Sequence, residues 1–119
     1  MRVLVCGGRN YYKADVIGKA LATYAPGTHT LVHGGCRGAD ETAANIAAAR
    51  RWNVEMHPAR WKTLGAGAGP IRNQEMVDSG ADLLIAFPGG RGTADCVERA
   101  KKAGIPVREW PSSSLGVSR

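Results

Sequence analysis

The chain contains no run approaching the ~18 consecutive apolar residues of a membrane-spanning helix, so no membrane partner is expected. Its opening, "MRVLVCGG", enters a strand-like segment at once and shows neither the apolar h-region nor the cleavage site of a signal peptide. Cysteine is scarce. The three residues, Cys6, Cys36 and Cys96, lack C-x-x-C spacing, which indicates neither a disulfide framework nor a zinc finger. These absences predict a cytoplasmic protein with reduced thiols, no metal and no cofactor. Blocks of one charge are missing too. Net charge is +6, yet the nearest things to a basic run are Arg50-Arg51 and Lys101-Lys102, each in the last turn of a predicted helix, where cations favour the dipole. So dispersed a basic surface gives little support to nucleic acid as a partner and suits a small anion better. Neither the P-loop nor the G-x-G-x-x-G fingerprint occurs, which disfavours Walker-type ATP hydrolysis and an ordinary dinucleotide site.

What is present is alternation. Strand-like runs at 2–6, 29–33, 54–58, 82–87 and 105–110 are separated by helical patterns over 13–25, 40–51, 70–80 and 93–103. The turn signal Pro26-Gly27 precedes the second strand, Asp40 and Thr93 read as N-caps, and Pro70 suits the first position of its helix. "DLLIAF" reads as a strand buried on both faces. The pattern predicts an α/β fold: a Rossmann-like three-layer sandwich with a parallel five-stranded sheet in the order 3-2-1-4-5. With 119 residues there is one domain, over 1–110, and "PSSSLGVSR" (111–119) is expected to be a disordered tail.

In such sheets ligands bind beyond the carboxyl ends of the strands, where strand order reverses. The loops leaving strands one, two and four read "CGGRNYY", "HGGCRGAD" and "PGGRGTAD". Glycines let backbone approach a ligand, amides at a helix N-terminus form an anion site, and arginine matches phosphate geometry. The ligand-contact candidates are therefore Gly7, Gly8 and Arg9; Gly34, Gly35, Arg37, Gly38 and Asp40; and Pro88, Gly89, Gly90, Arg91, Gly92 and Thr93. Asp40 fits a helix cap and a ribose-hydroxyl acceptor equally well. Arg72 and Asn73 join the set because Arg72 puts a positive charge near the unfavourable end of a helix dipole.

"GGRNYY", "VHGGCRGAD", "HPARW", "AGPIRNQEM" and "FPGGRGTADCVERA" together resemble the SLOG superfamily, in its YspA-related branch, along nearly the whole chain. The resemblance implies a Rossmann-like domain that binds a nucleotide or nucleotide-derived ligand as sensor or carrier. Its relatives include the Lonely-guy phosphoribohydrolases, which cleave N-glycosidic bonds of nucleotides, and molybdenum-cofactor carriers. In the hydrolases the motif continues Gly-Thr-x-x-Glu, and the glutamate works with an arginine. Arg72 matches that arginine, the one catalytic candidate, but Cys96 stands where the glutamate would be. Asp95 and Glu98 are neighbours, yet Asp95 is one residue off and points about 100° around the helix from Cys96. The binding half of such a site is thus expected without its hydrolytic half. An N-glycosidase acting without the glutamate is the enzyme alternative; a DNA-binding module rests on charge alone.

His33 and His57 both end strands and read as packed or hydrogen-bonded histidines. Tyr11 or Tyr12 could stack a base, with at least one in the core. The thiols read as small apolar groups flooring the pocket, the sharper alternative being a reactive or metal-binding site activated at Cys96. Val107, Trp110 and the alanine-rich second helix suggest flat apolar surface, hence a homodimer.

Overall fold

The computed structural model describes residues 1–24 and 28–111. Among them, β1 (Arg2–Cys6), β2 (Thr30–His33), β3 (Asn53–Met56), β4 (Leu83–Ala86) and β5 (Val107–Glu109) form one sheet in the order β3-β2-β1-β4-β5. Every pairing is parallel, as the alternation requires. The helices are α1 (Ala14–Ala22), α2 (Ala39–Ala49), α3 (Trp61–Leu64), α4 (Ala68–Asp78) and α5 (Arg91–Lys102).

Alternate strand residues feed two cores. Val3, Val5, Leu31, Leu83 and Ile85 face α1 and α2, where they meet Ile17, Leu21 and the alanines 39, 43 and 47. Leu4, Cys6, Val32, Leu84 and Ala86 face α4 and α5, against Met76, Val77, Cys96 and Ala100. The four residues of β4 are all buried, as a strand covered on both faces must be. Ala39, Ala43 and Ala47 of α2, four residues apart, let that helix lie close on the sheet, while Ala48 and Ala49 are exposed. Val107 and Trp110 are half-buried, each packed against one of the two cores. The larger apolar exposures on the sheet are Val54 and Met56, on the edge strand β3.

Several boundaries differ from the sequence expectation. Asp40 and Thr93 are not N-caps: α2 and α5 begin one and two residues earlier, at Ala39 and Arg91, with Gly38 and Gly90 in the cap positions. The glycine-rich "LGAGAG" is not a loop either. It ends α3, makes a single 3-10 turn (Gly65–Gly67) and runs directly into α4. Pro70 is accordingly the third residue of its helix, where it still costs no hydrogen bond because first-turn amides have no intrahelical acceptor. Gly80 and Gly104 end their helices with φ of +88° and +79°, the left-handed conformation expected of terminating glycines. The turn assigned to Pro26-Gly27 and tail residues 112–119 lie outside the described residues.

Candidate functional site

Strand order reverses between β1 and β4, and a cavity of about 620 Å³ opens there at the carboxyl ends of the strands. Its walls come from the loop after β1, the loop before α2, α3, the first turns of α4, and the start of α5. Gly7, Gly8, Arg9 and Asp40 line it, as do Arg72 and Asn73, and so do Gly90, Arg91, Gly92 and Thr93.

The remaining candidates do not line the cavity, and close packing explains most of them. A side chain at Gly34 would run into the guanidinium of Arg72, and one at Gly89 into the side chain of Thr93. Gly35 and Gly38 have φ of +75° and +80°, and a Cβ on Gly38 would also strike the carbonyl of Gly8. Pro88 supplies the carbonyl that accepts the Gly8 amide at 2.8 Å. Arg37 is exposed and points to no part of the cavity wall. Gly8 stitches three loops together, because its own carbonyl accepts the amides of Tyr11 and Ala39 at 3.2 and 3.1 Å. Gly7 cannot carry a side chain without meeting the Cβ of Ala39 at 2.5 Å.

The sequence places Arg72 near its helix start, at the unfavourable end of the dipole. Because α4 begins at Ala68, the residue falls in the second turn instead, and it is buried. Its Nη1 donates to the Gly34 carbonyl at 2.6 Å and its Nε to Asn73 Oδ1 at 2.9 Å, while Nη2 lies 3.8 Å from Cys36 Sγ. Asn73 then donates from Nδ2 to the Gly92 carbonyl and to Asp95 Oδ2, at 3.2 and 3.0 Å. This network ties the loop after β2 to α4 and α4 to the start of α5.

Two carboxylates face the cavity, and their surroundings push them apart. Asp40 is buried, and although its Oδ2 accepts the amides of Gly34 and Cys36, burial raises its pKa to about 6. Burial also works against the charge of Asp95, but hydrogen bonds from Arg99 and Asn73 outweigh it and hold that carboxyl below its ordinary value. Cys96 is buried beneath α5 and does not line the cavity; Asp95, one residue away, does. A carboxylate therefore reaches the site after all, from the neighbouring position.

The thiols divide by exposure. Cys6 and Cys36 line the cavity wall, and Cys6, in contact with Cys96 and buried, titrates above the ordinary thiol range. Among the described residues no group of three or more His, Cys, Asp or Glu is placed to hold a metal ion. His33 is buried, accepts the Gly35 amide at its Nδ1 and has a pKa lowered by that burial; His57 bonds Glu55 at 2.7 Å. Tyr11 stacks on Phe87 at 5.8 Å and belongs to the core, while Tyr12 is exposed away from the cavity. Sequence reasoning gave no role to Trp61, which opens α3 and lines the cavity. Its signal was faint: one aromatic after "HPAR", in a helix too short to show periodicity.

Fold and site together define a doubly wound α/β domain with a cavity at its topological switch point. The chain belongs to the YspA, cpYpsA-related SLOG family, whose model matches residues 1–63. It is 45% identical over 116 residues to the Gene 61 protein of Mycobacterium phage D29, a match spanning 89% of this chain and 93% of that one. The X-ray structure of TM1055 shares the fold, with a TM-score of 0.69 at 19% identity over 89% of this chain and 71% of that chain. No helix among the described residues is long and apolar enough to cross a membrane.

Proposed function

We propose that this domain binds a nucleotide or nucleotide-derived ligand as a sensor or carrier, with the ligand's phosphate on the N-terminus of α5. The observation that carries this reading is the condition of that helix end. Gly90 caps it without any side-chain hydrogen bond, and no acidic residue stands in the first turn. Gly90 and Gly92 have open space where a Cβ would sit, and neither has positive φ. Packing therefore explains the glycines of the other loops but not these two. Gly92 even lies within the helix, where alanine is preferred by up to ~1 kcal/mol. An anion drawn onto the free amides of Arg91, Gly92 and Thr93 accounts for the bare helix end and its missing side chains. The start of α2 is different: Asp40 and Glu41 stand in its first turn, and its leading amide already donates to Gly8.

Arg9, Arg72 and Arg91 supply positive charge around the same space. The named partners of Arg72 take one N–H on each nitrogen, which leaves one more on each terminal nitrogen for a ligand. Calorimetry with nucleoside 5′-monophosphates and their parent nucleosides tests the reading. Monophosphates should bind and nucleosides should bind at least about tenfold more weakly, the loss of one charge-assisted bond. Gly90→Val should abolish the binding, and Thr93→Ala should weaken it. Unchanged affinity in both variants makes the motif a turn and nothing more.

A second reading, hydrolysis of a nucleoside-monophosphate N-glycosidic bond, is favoured by the two carboxylates of split acidity. Asp40 in its acid form would protonate the departing base as the C1′–N bond breaks. Ionised Asp95 would stabilise the oxocarbenium-like C1′ until a water oxygen adds there and releases its proton to the Asp40 carboxylate, which restores the acid form. Free base released by the wild type and not by Asp95→Asn supports it. No release from purine or pyrimidine monophosphates removes it and leaves the carrier reading standing.

A further inference from the structure

Trp61 is 47% exposed although it lines the cavity, and it stands on the four-residue helix α3. Trp is enriched at interfaces, where one end of the ring is apolar and the other wet. Here one edge is held: Gly69 lies so close that an added Cβ would come within 3.3 Å of the indole Cη2. Over the ring face stands a flexible group, the Arg9 guanidinium, whose central carbon lies 5.7 Å from the ring centroid. Arg9 is exposed and lines the same cavity. The arrangement has a fixed aromatic plane on one side and a movable cation on the other.

The geometry points to Trp61 and Arg9 as the base-binding end of the cavity, where a nucleobase stacks on the indole and Arg9 swings aside to cover its far face. This rests on the phosphate reading above, since the start of α5 then holds the other end of the same molecule. A planar π-system suits this end better than a sugar or an alkyl chain, because guanidinium and indole both stack on it. The stacking itself is tolerant of base identity, so selectivity among bases should be modest.

The test compares 5′-AMP, 5′-GMP and 5′-CMP with ribose 5-phosphate, which carries the phosphate without a base, by calorimetry on the full chain. Trp61→Ala should weaken the nucleotides by about 5- to 150-fold, the range of losing one stacked base, and leave ribose 5-phosphate within about twofold. Trp61→Phe should recover much of the loss, and circular dichroism reports whether each variant is folded. Nucleotide should also quench the indole emission of the wild type and not that of Trp61→Phe. If no nucleotide binds more tightly than ribose 5-phosphate, or if Trp61→Ala weakens all ligands equally, the base-stacking assignment is wrong while the phosphate site stands. If neither nucleotides nor ribose 5-phosphate bind the wild type, the phosphate reading fails and takes this one with it.

Discussion

Replacing Gly92 by alanine adds one methyl group at a point where, its chain neighbours and own helix backbone apart, no atom of the described residues lies within 4 Å. Position 92 is the second residue of α5, so alanine lowers the backbone entropy lost on folding and should stabilise the domain by up to ~1 kcal/mol. On the phosphate reading, the same methyl projects into the space from which the phosphate would reach the first-turn amides. Losing one charge-assisted hydrogen bond there is worth ~1.5–3 kcal/mol, about 10- to 150-fold in affinity. Urea denaturation gives the first quantity and calorimetry with 5′-AMP the second. Gly89→Ala serves as the contrast, because its Cβ would strike Thr93 and lie 2.8 Å from the Gly8 amide. That overpacking should cost ~1–3 kcal/mol of stability. A more stable Gly92→Ala with unchanged affinity would refute the argument, because the glycine would then have neither a packing reason nor a ligand reason.

Asp40 has a pKa of about 6 in the folded chain against an ordinary 3.8, so the folded state holds this proton more tightly than the unfolded one. Its contribution is most favourable below pH ~4 and is lost as pH rises through about 6. Asp40→Asn should therefore exceed the wild type in stability at pH 7 by up to ~3 kcal/mol, with the gap closing below pH 4; a gap independent of pH contradicts this. Association into a homodimer should appear in sedimentation at tens of micromolar, the rough range of weak self-association; with Ala39, Ala43 and Ala47 of α2 turned inward, the exposed Val54 and Met56 of β3 are the place to seek it, and a monomer at that concentration counts against it.

The sheet order was legible because each strand and helix carried its own period, and β4 betrayed its central place by being apolar on both faces. The clustering of the glycine loops followed from the order. What each glycine does was not legible. Gly34 answers to Arg72, Gly7 to Ala39 and Gly89 to Gly8, partners brought together only by the finished fold. The cap assignments failed because Asp40 and Thr93 are good cap residues by type, whereas glycines at 38 and 90 turn the chain earlier. Asp95 was set aside for a related reason: counting positions along a motif makes it one residue off, yet the helix turns 95 and not 96 toward the cavity.

Gly8 joins the loop after β1 to those before α2 and α5, and its hydrogen bonds have a consequence for how such a site can diversify. A loop that hangs free can lengthen or change residue by residue until it suits a new ligand. These three share one glycine's amide and carbonyl, so an insertion in any of them breaks the seam with the other two. New specificity has to come from side chains that stand on the rim without belonging to it. Arg9, Arg91 and the indole on α3 are of that kind, and there related domains can differ while the glycine seam stays the same.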